Sequence, residues 1–245
     1  MRSLLTEALL LRSTPYRDAD AVVQLLTPGH GVVSLLARGA RSSRRRFGGV
    51  LDYFCRMQAE LRPARQGLGT LLGVELLGAF EGVRGDVDRY WVGCHFLEIA
   101  RGGAREADPA PELYALLAAA LGALDRDADP ASLQRVFQVK GLVVLGYGLP
   151  LESCPACVAD LARSAAVRGS QVVCRRCAGP HAPGLSVGAL ETLRAAARLP
   201  LDRLATLRVT AAAEAELGGL LDAALGAALG RPIRPGPALA PGIRD

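Results

Sequence analysis

Between Leu4 and Phe80 the apolar residues fall into short runs, each ended by a cluster of turn-forming residues, which is the pattern of strands. The segment LTEALLLR gives a first strand, and DADAVVQLLT follows a turn at Pro15. Pro28-Gly29-His30-Gly31 is a tight turn into VVSLLA and closes a hairpin. LDYFCRMQAEL and the run from Leu71 to Phe80 supply two more strands. Five short strands with glycine-rich turns predict a small closed barrel, and an OB-fold is the natural form for that number of strands. From about Asp86 the spacing of apolar positions becomes helical, with amphipathic segments at Asp88–Arg101 and Glu112–Leu124. Asp129-Pro130 pairs an N-cap with proline at the first helical position and opens a helix running to about Leu145, which Gly146, Gly148 and Pro150 stop. Ser186–Arg198 and Thr210–Gly230 predict two further helices, joined by Leu201–Val209.

The fold class expected from this order is α+β with more than one domain. Residues 1–80 form an OB-fold nucleic-acid-binding barrel, and residues 81–230 form a helical domain that encloses a cysteine module at 154–177. Residues 231–245, with four prolines, are expected to be a tail without fixed structure. The longest charge-free run, Ala21–Ala37, is broken by the Pro28–Gly31 turn and predicts no membrane span. Glu7 interrupts the apolar stretch at the N-terminus and no small-residue cleavage site follows, so no leader is expected. A cytoplasmic protein is the expectation, and in that compartment cysteines seldom pair in structural disulfides.

Charge alters this picture by its position. The net charge is +5, and Lys140 is the sole lysine among 29 basic residues. A single lysine followed by glycine and leucine excludes a Walker A loop. Up to residue 80 there are 11 arginines against six acids, whereas the rest of the chain is balanced. Arg38, Arg41, Arg44, Arg45 and Arg46 lie in one stretch with no acid between them. Such a stretch sets guanidinium groups along a phosphate backbone and gains from the release of counterions; a solvated basic loop is the plainer alternative. Tyr16, Phe47, Tyr53 and Phe54 are the rings available to stack on bases, although small barrels use most rings in their cores.

The most specific signal is C-x2-C-x16-C-x2-C, formed by Cys154, Cys157, Cys174 and Cys177. Two close pairs at this separation match four-thiolate zinc sites, so one structural Zn2+ per chain is expected, with no coordination position left for water or substrate. Arg175 and Arg176 are placed to offset the charge of the thiolates. Cys55 and Cys94 stand alone in apolar segments and read as core residues. Gly184-Leu-Ser-Val-Gly188 fits a nucleophile elbow, but all three histidines precede Ser186, which is better read as an N-cap. No His-x-Glu occurs, which removes a deaminase. The residues therefore predict a protein that is not an enzyme.

In this order of parts the chain resembles the RecO family of bacterial recombination mediators. The likeness rests on LLLRSTPYRDADAVVQLLTPGHGVVSLLARGAR, PELYALLAAALGAL, VFQVKGLVVLGYGLPLESCPAC and VVCRRCAG followed by LSVGAL, and covers roughly residues 1–230. Its most specific stretches are GARxxRRR and the GYxxPxxxCxxC join. It departs from the family's pattern in the acid usual after the barrel tyrosine, replaced here by Arg17-Asp18, and in having only arginine in the basic loop. The resemblance implies a DNA repair and recombination mediator that binds single- and double-stranded DNA, anneals complementary strands, and works in the cytoplasm at the nucleoid. It further implies partnership with RecR and with single-strand-binding protein, and through them the loading of RecA. Matched onto this chain, it gives Arg38, Arg41, Arg44, Arg45 and Arg46 as the residues that hold phosphates, with Arg12 and Arg17 near the start of the barrel as weaker candidates. The competing expectation is an adaptor whose helical domain recruits protein partners while the barrel only anchors it.

Overall fold

The structure, a computed structural model, describes residues 3–64, 67–126 and 128–233, with only the backbone of Arg44, Arg45 and Arg163. Two compact units divide the chain near Arg126. In the first, β1 (Leu4–Tyr16), β2 (Asp20–Thr27), β3 (Gly31–Ala37), β4 (Cys55–Arg62) and β5 (Gly69–Ala79) close into a barrel of order β1-β2-β3-β5-β4. The first strand is longer than the sequence pattern suggests. It runs through Pro15 to Tyr16, and the turn falls at residues 17–19, with Arg17 at φ +54°. Proline at this position removes one amide donor but fits an extended strand end. β1 serves two neighbours: Leu4–Leu9 pair with Leu61–Arg56 of β4, and Leu9–Tyr16 pair with Leu26–Asp20 of β2, with a register shift between Leu10 and Arg12. The circle closes where β3 and β5 run parallel, Leu35 opposite Gly69. Gly69 is required there, since a Cβ would stand 2.7 Å from the Arg62 carbonyl oxygen and 2.8 Å from the Leu35 side chain.

The alternation in β4, buried at Cys55, Met57, Ala59 and Leu61 and outward at Arg56, Glu60 and Arg62, shows how one face fills the barrel. Leu10, Val23, Leu25, Leu35, Met57 and Leu71 complete that core, and Phe47 joins it from α1 (Arg44–Phe47), a single turn where the sequence suggests only a loop. After the barrel come α2 (Glu81–Arg84), α3 (Val87–Gly103) and α4 (Pro111–Asp125), which belong to the same compact unit as the strands. Asp86 caps α3 by accepting the Arg89 N–H. The centre of α3 is buried nearly all round, from Val92 to Ala100. Tyr114 of α4 donates a hydrogen bond to Glu7 of β1 at 3.0 Å.

In the second unit α5 (Pro130–Val144) is the central helix, capped at Asp129 as its sequence predicts. α7 (Val187–Arg198) and α8 (Ala211–Leu229) pack on it, with a 3-10 segment at Leu201–Thr206 between them. Ser186 and Thr210 cap these two helices through their hydroxyls. Arg135 of α5 holds Glu214 of α8 with its Nε at 2.9 Å, and Gln138 donates to Asp222 at 2.8 Å, so the α5–α8 seam is specified by polar pairs as well as by apolar packing. Lys140 Nζ donates to the Leu199 carbonyl at 2.7 Å, where a cation satisfies an orphan acceptor just past the end of α7. The Leu161–Arg163 3-10 turn, β6 (Ala165–Arg168), β7 (Gln171–Cys174), α6 (Arg175–Ala178) and β8 (Gly184–Leu185) form the cysteine module, with sheet order β7-β6-β8. The tail expected at 231–245 lies outside the described residues from Arg234 onward. Among the described residues no helix is long and apolar enough to cross a membrane.

Candidate nucleic-acid interface and metal centre

The basic loop is an ordered rim of the barrel. Its anchor is Phe47, which is 2% exposed, and burying such a ring contributes roughly 1.5–3 kcal/mol. From that anchor the chain folds back upon itself. Ser43 N–H donates to Gly39 O at 2.8 Å and Ser42 N–H to the same oxygen at 3.1 Å. Gly39 sits at φ +70°, a conformation a side chain rarely adopts. The loop is also joined to the β1–β2 turn, since Arg41 N–H donates to Ala19 O at 3.0 Å and Gly39 N–H to Asp20 Oδ1 at 2.8 Å.

These bonds decide where the arginines foreseen from the sequence stand. Arg17, Arg38 and Arg41 are exposed and belong to two segments that hydrogen bonds tie together. Among the described residues none of the three forms an ion pair. The Arg17 guanidinium lies over the Tyr16 ring, 5.2 Å from its centroid. Arg46 is engaged within the loop: its Nε donates to Ser43 Oγ at 3.3 Å, its Nη2 to Arg38 O at 2.8 Å, and its guanidinium lies 5.2 Å from the Phe47 centroid. Arg44 and Arg45 have their backbone in α1, and their side chains are outside the described residues. Arg12 is exposed on the body of β1 opposite Gln24, several ladder positions from the turn.

Of the four rings considered for base stacking, Phe47 and Phe54 are core residues at 2% and 1% exposure. Phe54 meets Tyr90 of α3 edge to face at 5.3 Å, which no strand pattern in the sequence announces. Tyr53 Oη accepts the Ser13 N–H at 3.4 Å and is half-buried, and burial raises its pKa. Tyr16 alone of the four is exposed.

In the second unit the four cysteines do converge. The Sγ atoms of Cys154, Cys157, Cys174 and Cys177 all lie within 4.8 Å of one another. Zinc held by four thiolates at about 2.3 Å would space the sulfurs about 3.8 Å apart, so the donor set fits a tetrahedral metal. The first pair sits on a tight turn in which Val158 N–H donates to Cys154 O and Cys154 N–H to Ala159 O, both at 2.8 Å. The second pair spans the junction between β7 and α6, and the Cys157 and Cys174 sulfurs are 3.5 Å apart. Backbone N–H groups aimed at sulfur, that of Cys174 foremost, bring the Cys154 thiol down to about 6. Cys157 is lowered from the ordinary thiol value as well, first by the Ala159 N–H and then by the Cys174, Cys177 and Arg176 side chains. Cys177 is pushed up to about 12 because its sulfur faces those of Cys157 and Cys174. Such a cluster surrenders its first protons readily and its last only when a cation replaces it. Arg176 takes the charge-offsetting place expected of it, beside Cys157, while Arg175 donates instead to Ala182 O at 3.2 Å. Cys55 and Cys94 are buried at 2% and 1%, outside this cluster. Burial pushes the Cys94 thiol up to about 11.

The turn after Cys157 carries strain. Val158 has φ +62° and is 79% exposed, so a β-branched residue occupies a left-handed position with little packing in return. Val158→Gly is expected to stabilise the second unit by roughly 0.5–1.5 kcal/mol, the relief of strain exceeding the added chain entropy of glycine. Chemical denaturation followed by a probe in that unit checks the sign, and a loss of stability would show the turn to be unstrained.

An OB-type barrel with an arginine-rich loop, followed by helices that carry a four-cysteine module able to hold a metal ion, makes up a two-part architecture. Comparison with known families agrees. The family described as "Recombination protein O N terminal" matches residues 1–80, and "Recombination protein O C terminal" matches residues 84–235. A DNA repair protein RecO of Geobacter sulfurreducens is 37% identical over 238 residues, covering 95% of this chain and 96% of its own. A relative of the same name from an Anaeromyxobacter species is 40% identical over 204 residues, covering 80% and 79%. The chain belongs to the RecO family of DNA repair proteins.

Proposed function

We propose that this protein binds single- and double-stranded DNA along the basic rim of its barrel, anneals complementary strands, and helps load recombinase onto DNA coated with single-strand-binding protein. The observation that carries the reading is the joining of Arg17 to Arg38 and Arg41 through the Arg41–Ala19 and Gly39–Asp20 hydrogen bonds, in a region with a surplus of arginine. A rim that grips phosphates and ignores bases leaves the Watson–Crick edges free. Arginine suits this role because its planar fork donates two hydrogen bonds to one phosphate. Annealing then needs no ATP and no covalent step, since base pairing supplies the free energy; the protein acts as a mediator and not as an enzyme. Arg44, Arg45 and Arg46 extend the same basic segment, and Arg12 adds a contact along β1.

Cys154, Cys157, Cys174 and Cys177 hold one Zn2+ in this reading, and the metal supplies cross-linking of the module rather than chemistry at a substrate. RecR, single-strand-binding protein and, through them, RecA are the protein partners, met in the cytoplasm at the nucleoid. A cleft of about 450 Å3 in the second unit, lined by Leu161, Leu185, Val187 and Leu190 between Arg175 and Glu216, favours an adaptor role for the helices alongside DNA binding. The test is annealing of complementary oligonucleotides coated with single-strand-binding protein, without ATP. Acceleration well above the spontaneous rate is expected, and none at all would overturn the mediator reading. DNA affinity with no annealing would favour the adaptor.

A further inference from the structure

Asp20 stands where charge alone would not place it. It begins β2, directly behind the turn that carries Arg17, and it is an acid among the arginines assigned to phosphate. A carboxylate in that setting repels the DNA backbone. Its oxygen Oδ1 accepts the Gly39 N–H at 2.8 Å, one residue away from the Arg41 N–H bond to Ala19 O. Gly39 in turn carries on its own carbonyl the N–H groups of Ser42 and Ser43, and Arg46 Nη2 reaches the neighbouring Arg38 carbonyl. The basic loop is therefore joined to the β1–β2 turn by two bonds, Gly39 to Asp20 and Arg41 to Ala19, and the first of them depends on a side chain. Without the Asp20 bond the Arg41 N–H to Ala19 O bond is left to hold the loop against the turn, and Arg38 and Arg41 are held less firmly relative to Arg17.

We propose that Asp20 is a positioning residue of the DNA interface: its carboxylate oxygen clasps Gly39 and holds the Arg38–Arg46 loop against the β1–β2 turn, so that Arg17 and the arginines of the loop present one surface to phosphate. This rests on the reading of the rim as the DNA-binding surface. The clasp acts through geometry and not through charge, and the two predict opposite signs. Asp20→Ala removes both the negative charge and the acceptor. Asp20→Asn removes the charge but keeps an oxygen for the Gly39 N–H.

Binding of a labelled single-stranded oligonucleotide of mixed sequence is measured across a salt series for the full chain and both variants. Asp20→Ala is expected to bind about tenfold more weakly, because the loop must be ordered on binding. Its salt slope stays that of the parent, since the same arginines reach phosphate once the loop is ordered. Asp20→Asn is expected to bind at least as tightly as the parent, a rescue that an unfolded or damaged barrel does not give. If both variants bind as well as the parent or better, Asp20 is merely a neighbouring charge and the proposal fails. It fails also if Asp20→Asn is as weak as Asp20→Ala. Should Asp20→Ala not fold, amide exchange in the parent decides: the Gly39 and Arg41 N–H groups are expected to be slowed about tenfold or more against an open loop, and unprotected amides overturn the clasp. A parent protein with no affinity for the oligonucleotide would instead overturn the reading of the rim itself.

Discussion

Replacing Cys174 by serine is expected to abolish the zinc binding proposed for the second unit and to unfold the segment from Cys154 to about Leu185, leaving the barrel intact. The module is too small to stand by itself. Its sheet has three strands, the longest of four residues, and its buried apolar set is little more than Leu161, Ala165, Ala166, Val172, Val173 and Leu185. Structural zinc contributes about 10–16 kcal/mol in modules of this type, so the loss of one thiolate removes most of what holds the turns together. Arg194 donates to the Leu151 carbonyl at 2.8 Å and Arg198 to Glu152 at 2.7 Å, so the segment entering the module is still tied to α7 and unfolding stops there. Metal analysis together with amide exchange reads both effects. Cys94→Ser serves as the control, since Cys94 is buried in α3 and outside the cluster, and that variant is expected to keep its metal. Undiminished zinc in Cys174→Ser would remove the module from the metal-binding class.

Changing Arg38, Arg41, Arg44, Arg45 and Arg46 together to alanine is expected to weaken DNA binding about 10³-fold near 0.1 M salt and to flatten the salt dependence by roughly three. Each phosphate contact releases about 0.7–0.9 of a counterion, so the slope counts contacts independently of affinity. Arg46 adds less than its share, since its guanidinium already engages Ser43, Arg38 O and the Phe47 ring. The loss should be similar for all sequences, because contacts to phosphate do not read bases. An unchanged slope would move the interface elsewhere on the barrel. Phe47 is left in place in this variant so that the barrel core is not disturbed.

The sequence made the barrel legible through the alternation in LDYFCRMQAEL and the two-strand run around Pro28–Gly31, because residues with one buried face repeat every second position. It made the caps at Asp129 and Ser186 legible because a short polar side chain ahead of an apolar period has few other uses. The metal cluster was legible from spacing alone, and the four sulfurs do meet. What stayed hidden depends on contacts distant in the chain. Phe47 and Phe54 look alike as candidate stacking rings until Met57 and Leu61 are seen around the one and Tyr90 beside the other. The short strands of the module fall below the length at which periodicity can be read. Asp20 carried no signal, since the partner that gives it meaning is a backbone amide 19 residues on.

The divided allegiance of β1 bears on how the molecule is made. Its first half is synthesised before the other strands of this barrel, yet it pairs with Arg56–Leu61, and the ring shuts only when Gly69 arrives beside Leu35. At about 5–20 residues per second the nascent segment waits for seconds with Leu4, Ala8 and Leu9 unsheltered. The β2–β3 hairpin, whose strands are neighbours in the chain, has no such delay. The earliest residues of this barrel are therefore among the last to meet their partner strand, and they depend longest on being shielded from other chains.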